Sequence, residues 1–506
     1  MRSPVALQRR QSQGAVEGKA RVAKGYGSLV WLPFAVIIVA MAALSHSAVL
    51  FGSSLVWASC MAFMGARIPM MVFACFLQVT SAITGCAYLG AYGHYPSGVA
   101  DTQLAPWAVA ALELGLLVVA AVYWGVVRYE RPGDPRLGES NRMLKLGPTH
   151  LFILLLIVFS PEWLRLPLQP SSTGGFRQIV QHIVNFRMVL YCIFLINCIR
   201  ANRKKAYYKL IFISIYIALP MSVTGHAGWS SIVILALMVF ASSLVFPIAR
   251  GGARLSAAGI SVAMAAVVFL AGFGLIWEGG LKGAWRSTLS EGSGDMSMTA
   301  SLSAFADQAT TVMQQFNLSQ SLEVLTSRMS SGEGFSSLVL RNVPRAIPYA
   351  NGERSMGAIG NLLPRVIFRN KADLGGDSWL VRKYAQVDAA GDEEGASIGL
   401  GYVSEFYIDY GVIGIVAGSA ALGLLFASGI VAFRMMGGRG DLANAAMAVI
   451  FYTTFTTPDA SLTKMVGALA SEIIVFAGVI YFVNRYLYVR FRTPTSAEPA
   501  LSPRMA

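Results

Sequence analysis

The sequence predicts an all-α, polytopic membrane protein of about twelve transmembrane helices, with one large loop before the last three. Three observations carry this. Hydrophobic residues make up 55% of the 506 and charged residues 13%, with a mean hydropathy of +0.57, too apolar for a soluble domain. Windows of the roughly 20 mostly apolar residues that a spanning helix needs recur from Ser28 almost to the C-terminus. Strand-length alternation is absent, which argues against a β-barrel.

In chain order, residues 1–27 carry Arg2, Arg9, Arg10, Lys19, Arg21 and Lys24 against one acid, Glu17, and read as a disordered cytoplasmic tail. A cleaved signal peptide is the rival, since "MAALSHSA" follows an apolar run. The long basic lead and the closely following second span favour a retained anchor. Nine spans are expected over 28–45, 48–64, 68–90, 105–127, 147–161, 186–200, 206–223, 229–248 and 255–277, forming an N-terminal bundle over 28–277. Three more, over 409–433, 442–458 and 465–486, form a C-terminal bundle over 409–486, and 487–506 is a second tail.

The formal net charge is +14, but most basic residues sit in short connectors beside apolar spans. That is the pattern of topology signals, and no nucleic-acid partner is expected. With the N-terminus inside, the cytoplasmic side receives Arg67, 128–145, 200–205, 249–254, 434–441 and the tail from Arg485. The other side receives 91–105, 162–185, 224–229, 278–408 and 456–464, so both termini fall inside. Cys60, Cys75, Cys86, Cys192 and Cys198 all lie in apolar spans, which implies neither a disulfide framework nor a metal site. No phosphate-binding, zinc-protease or serine-hydrolase motif is present.

The 278–408 segment is much longer than an ordinary connection. Its first part has apolar residues at helical spacing and predicts amphipathic helices against the membrane domain. From Glu333 onward Pro and Gly predict irregular backbone, and the acidic, Gly-rich 387–397 predicts a mobile flap. Between Arg341 and Lys383 stand Arg341, Arg345, Arg354, Arg365, Arg369, Lys371, Arg382 and Lys383 against Glu353, Asp373 and Asp377. Such a run can simply keep a loop solvated. An outward loop, however, needs no positive excess for orientation, and these arginines lie among Pro, Gly, Trp and Tyr, so an anionic ligand is the simpler cause.

Where the segment returns to the membrane, in "GLGYVSEFYIDYGVIGIVAG" (399–418), Glu405 and Asp409 are four apart and share a helix face, with Tyr402, Ser404 and Tyr407 nearby. A carboxylate there could pair with a loop arginine or serve as general base; it could equally be a helix-dipole partner, and the tyrosines interfacial anchors. Glu113 and Glu472 fall inside spans, as proton-relay groups or as packing carboxyls, with Arg187 a possible partner.

These stretches resemble the O-antigen polymerase (Wzy-type) family of bacterial polysaccharide polymerases, related to the O-antigen ligases. The resemblance lies in the layout, in "LPRVIFRNKADL" (363–374), and in "SEFYIDYGVIG" (404–414). It implies a metal-independent, GT-C-like glycosyltransferase of the bacterial inner membrane that needs no cofactor. Its substrate would be an undecaprenyl-pyrophosphate-linked oligosaccharide, its setting the membrane lipids, and its partners a chain-length regulator and flippase of the same pathway. On that reading Glu405, Arg365 and Arg369 are catalytic, and Arg341, Arg345, Arg354, Lys371, Tyr402, Tyr407 and Asp409 bind pyrophosphate or sugar. Ligases usually carry a histidine leading into the span after the loop, and "IGLGYVSEFY" has none. A lipid-linked oligosaccharide flippase or secondary transporter, and a non-enzymatic assembly scaffold, are the competing classes.

Overall fold

The computed structural model describes residues 31–65, 67–96, 98–129, 148–164, 175–201, 204–223, 231–240, 272–292, 298–362, 377–388, 398–436, 441–456, 458–483 and 485. All regular structure among them is helical. The first bundle contains α1 (Leu32–Leu44), α2 (Ala48–Gly65), α3 (Pro69–Tyr92), α4 (Ala105–Tyr129), α5 (Pro148–Trp163), α6 (Gly175–Ala201), α7 (Lys204–Val223) and α8 (Ser231–Phe240). Proline in the first turn opens α1 and α3, where its missing N–H costs nothing. Gly93 closes α3 in the left-handed conformation, with its N–H on the Leu89 carbonyl.

A π-helical turn, Trp277–Leu281, leads into α9 (Lys282–Gly292), followed by α10 (Met298–Gln314), α11 (Leu318–Asn342) and α12 (Glu353–Asn361). A single turn, α13 (Asp377–Leu380), passes into a second π-helical turn, Val381–Ala385. The chain ends in α14 (Tyr402–Met435), α15 (Asp441–Phe455) and α16 (Leu462–Phe482). Seven helices, α2, α3, α4, α6, α7, α14 and α16, are long and apolar enough to cross a membrane, and α1, α5, α8 and α15 are shorter apolar helices at other expected spans. The expected span 255–277 lies outside the described residues except for its last six, as do the tails 1–27 and 487–506 and most of the flap at 387–397.

Three expectations are corrected. Helix α6 starts at Gly175, well before 186, because Gln181, His182 and Asn185 interrupt the apolar window yet sit inside the bundle near Glu472. Backbone expected to be irregular from Glu333 remains helical to Asn342. Gly332 there serves close packing, since a Cβ would lie 3.1 Å from the Asp459 side chain. The helix stops where Val343 turns extended ahead of Pro344, as a residue before proline prefers. Finally, α14 begins at Tyr402, not 409, and is broken at Tyr410 and Gly411 (φ 63°).

Glycine sets the central helix pair. A Cβ on Gly423 of α14 would lie 2.7 Å from the Val119 carbonyl of α4, and one on Gly115 would lie 3.0 Å from the Ser419 hydroxyl. Small residues at such an interface let backbones approach where lipid supplies no hydrophobic drive. The register (115 beside 419, 119 beside 423) makes α4 and α14 parallel.

Helix α11 lies along α3 and α4. Ser81 donates to the Met329 carbonyl at 2.8 Å and Tyr95 to the Ser330 carbonyl at 3.0 Å. A second, smaller core forms around Phe335, Leu338, Val339, Val381, Tyr384 and Ile408. Helix α12 packs on α14 and α16.

The loop entering α14 is wedged against the turn before α16. A Cβ on Gly401 (φ 86°) would stand 2.4 Å from the Pro458 carbonyl, whereas one on Gly360 of α12 meets nothing within 4 Å. Gly401→Ala is therefore expected to lower the thermal unfolding midpoint of the detergent-solubilised protein by several degrees, corresponding to about 1–3 kcal/mol. Gly360→Ala should leave it unchanged or raise it slightly.

Candidate functional site

The site is built where the first turns of α14 meet α12 and α16. Asp409 is fully buried, and its carboxylate receives the Arg354 N–H (3.0 Å), the Ser355 N–H (2.8 Å) and the Ser355 hydroxyl (2.5 Å). The two N–H groups are donors of the first turn of α12 that have no partner within the helix. Gly352 stands at the cap position of that helix without a side chain to offer, because a Cβ there would lie 2.4 Å from the Tyr410 hydroxyl. The cap is thus supplied from a second helix. At the break in α14, the carbonyls of Ile408 and Asp409 accept from Ala350 (2.9 Å) and Asn351 (3.2 Å), which fixes the approach to α12.

Glu405, one turn earlier, is also fully buried and does for α16 what Asp409 does for α12. Its Oε1 accepts the Leu462 N–H at 2.7 Å, beside the Ser461 cap. Its Oε2 has no hydrogen-bond partner among the described residues. Arg354, Asp377 and Asp409 stand close enough to act on the Glu405 charge. Arg354 is 1% exposed, and its Nε and Nη1 have no partner among the described residues. A buried guanidinium with unspent donors is costly, and such groups call for an anionic acceptor.

Beside Arg354 lie an exposed aromatic ring and a lysine. The Trp379 ring, 41% exposed, lies between the Arg354 guanidinium at 5.9 Å and the Lys383 ammonium at 4.8 Å. Lys464 of α16 pairs with Asp377 at 2.5 Å and so ties α13 to the span.

The structure separates the expected site residues. Glu405, Asp409 and Arg354 come together. Arg341 is half-exposed and faces Asp101 in the α3–α4 connector at 3.9 Å, away from this group, and Arg345 is exposed near Tyr407. Tyr402, expected to stack on sugar, is 0% exposed and donates to Gln78 at 2.9 Å, so its ring is core. Tyr407 is half-buried and donates to the Val343 carbonyl at 3.2 Å. Asp409 is a helix cap, with its oxygens taken by α12. Arg365, Arg369 and Lys371 lie outside the described residues. Lys383 stands in the expected cationic run and Trp379 is the tryptophan within it, whereas Lys464 had no signal in the sequence beyond its residue type. Among the described residues no three His, Cys, Asp or Glu side chains are placed to hold a metal ion.

Glu333 of α11 was not expected either. It is fully buried, its Oε2 lacks a partner among the described residues, and it lines a cavity of about 20 Å³ with Ser336, Ser404 and Tyr407. That volume admits about one water and not a headgroup. Burial, and secondarily the Asp459 charge, pushes the Glu333 carboxyl up to about 8.

The fold and this site define a membrane-embedded helical protein whose intervening helices are clamped to its last spans by buried carboxylates. The chain belongs to the family described as a domain of unknown function (DUF8712), whose model matches residues 68–456. No curated protein and no solved structure matches it.

Asp409→Ala should free the N-terminus of α12, costing about 1–2 kcal/mol and raising amide exchange across 353–361 in hydrogen-exchange mass spectrometry. Glu333 gives a pH signature. Its folded pKa is raised from 4.5 to about 8, so the folded state holds the proton more tightly, and stability falls as pH rises through that interval. Glu333→Gln should remove that part of the pH dependence of thermal stability.

Proposed function

We propose that this protein is a GT-C-like membrane glycosyltransferase that polymerises undecaprenyl-pyrophosphate-linked oligosaccharide repeat units into surface polysaccharide. In this reading it resides in the bacterial inner membrane with both termini cytoplasmic, and the reaction takes place at the periplasmic face. The observation that carries the reading is the buried Arg354 beside Glu405, each with polar atoms that have no partner among the described residues. The motif "SEFYIDYGVIG" that resembles the polymerases holds Glu405 and Asp409, the two acids that organise this cluster.

In the reaction, an acceptor hydroxyl attacks the anomeric carbon of the donor. The new glycosidic bond forms as the bond to the pyrophosphate oxygen breaks. Negative charge grows on the leaving pyrophosphate, where Arg354 donates to it more strongly in the transition state than in the ground state. Arg365, Arg369 and Lys371, next along the chain from α12, are further cations for the same group, and Lys383 extends the positive face. The acceptor proton passes to Oε2 of Glu405, the oxygen not engaged by α16. Tyr407, half-buried, and Trp379 are the aromatic faces left for a sugar; Tyr402 is not. The pathway's flippase and chain-length regulator are the expected partners.

The test is replacement of the chromosomal gene in the native host. Glu405→Gln, Arg354→Lys and the charge reversals Arg365→Glu and Arg369→Glu are expected to cut long-chain glycan about a hundredfold or more, leaving single repeat units on the surface. Membrane levels of each variant are checked by immunoblot. Unaltered long chains would overturn the reading, and complete loss of surface repeats would mark a flippase instead.

A further inference from the structure

A second site lies at the other end of the spans. Helices α4 and α14 are parallel, so the C-terminal turn of α4 is remote from Glu405, which sits in the first turns of α14. At that far end, Arg67 in the α2–α3 turn and Arg128 in the last turn of α4 converge on Trp124. The Arg67 guanidinium is 4.7 Å from the Trp124 ring and 4.5 Å from Phe63, and that of Arg128 is 5.5 Å from Trp124. Trp124 and Phe63 meet edge to face, with ring centroids 5.8 Å apart.

Beside them opens a pocket of about 450 Å³, lined by Arg67, Ile68, Trp124, Val127 and Arg128. This is the size of a small-ligand site. Among the described residues lining it there is no carboxylate. Below it, Leu55, Val56 and Phe63 of α2 are exposed, as side chains that face lipid are.

Arginines that only set topology need neither a pocket nor a shared ring. Here two guanidinium groups are held on one indole, at the ends of candidate spans, over an apolar floor. A ligand matching all of this carries a phosphate for the fork of Arg67 and the added positive charge of Arg128, and an aliphatic part for Ile68 and Val127. We propose that this pocket binds the headgroup of an anionic glycerophospholipid, with its acyl chains running down the outer face of α2 and α4. The proposal is independent of the glycosyltransferase reading.

The full chain, purified in detergent, is exchanged against phosphatidylglycerol or phosphatidylcholine of equal chain length, and bound lipid is counted by native mass spectrometry. The wild type is expected to retain phosphatidylglycerol preferentially. Arg67→Gln with Arg128→Gln should reduce that retention about tenfold or more. Arg67→Lys with Arg128→Lys, which keeps the charge and removes the fork, should reduce it less. Equal retention of the two lipids by the wild type would overturn the proposal, whether or not the double variant folds. So would undiminished phosphatidylglycerol on a folded double glutamine variant, or its displacement by millimolar inorganic phosphate, which would mark a site for the free anion.

Discussion

The Asp409 carboxylate, carried at the head of a membrane span and spent on the N-terminus of another helix, joins the two parts of this molecule. Helix α12 has nine residues, too few to persist in water unaided. Its own cap position is a glycine; of its first-turn N–H groups, those of Arg354 and Ser355 go to Asp409 and that of Glu353 to the Ala350 carbonyl. Glu405 repeats the device on α16. Two acids one turn apart therefore fix the orientation of two other helices, and the position of Arg354 follows, since its N–H is among the donors that Asp409 receives.

Two buried carboxyls within the bundle likewise receive donors from neighbouring helices. Glu113 of α4 receives the Ser54 hydroxyl of α2 at 2.6 Å. Glu472 of α16 receives Thr453 at 2.6 Å and Asn185 at 3.1 Å, with His182 at 3.4 Å. A carboxyl in such surroundings is tolerated because neighbouring helices supply its donors. For Glu472 they come from polar residues on α6 and α15, not from Arg187, which lies over the Phe159 ring at 4.5 Å. The same residues fix three helices against one another in a region where apolar contact alone discriminates poorly.

The membrane helices were legible because length and apolar continuity are local properties. Reading failed where polarity turned inward, as at His182 and Asn185, and where glycine served packing instead of ending a helix, as at Gly332. For the site, the shared face of Glu405 and Asp409 could be read from their spacing, but not what they hold, because Arg354 and Leu462 are more than fifty residues away along the chain. Charge counting gathered Arg341, Arg345 and Arg354 into one patch. Burial separates them, since only Arg354 is enclosed and Arg341 turns toward Asp101. Tyr402 misled for a similar reason: a phenol at a helix start suggests an interface, whereas Gln78, from a distant helix, draws it into the core.

The break at Tyr410 and Gly411 separates the turns bearing Glu405 and Asp409 from the long apolar shaft that follows. A span adapts to hydrocarbon thickness chiefly by tilting. Residues 402–409 nevertheless stay packed on that shaft, since a Cβ on Gly414 would collide with the Phe406 carbonyl and one on Gly418 with the Phe406 ring. Movement of the shaft is thereby passed to the turns that carry Glu405, so acyl-chain length in the host membrane bears directly on how that carboxylate is held.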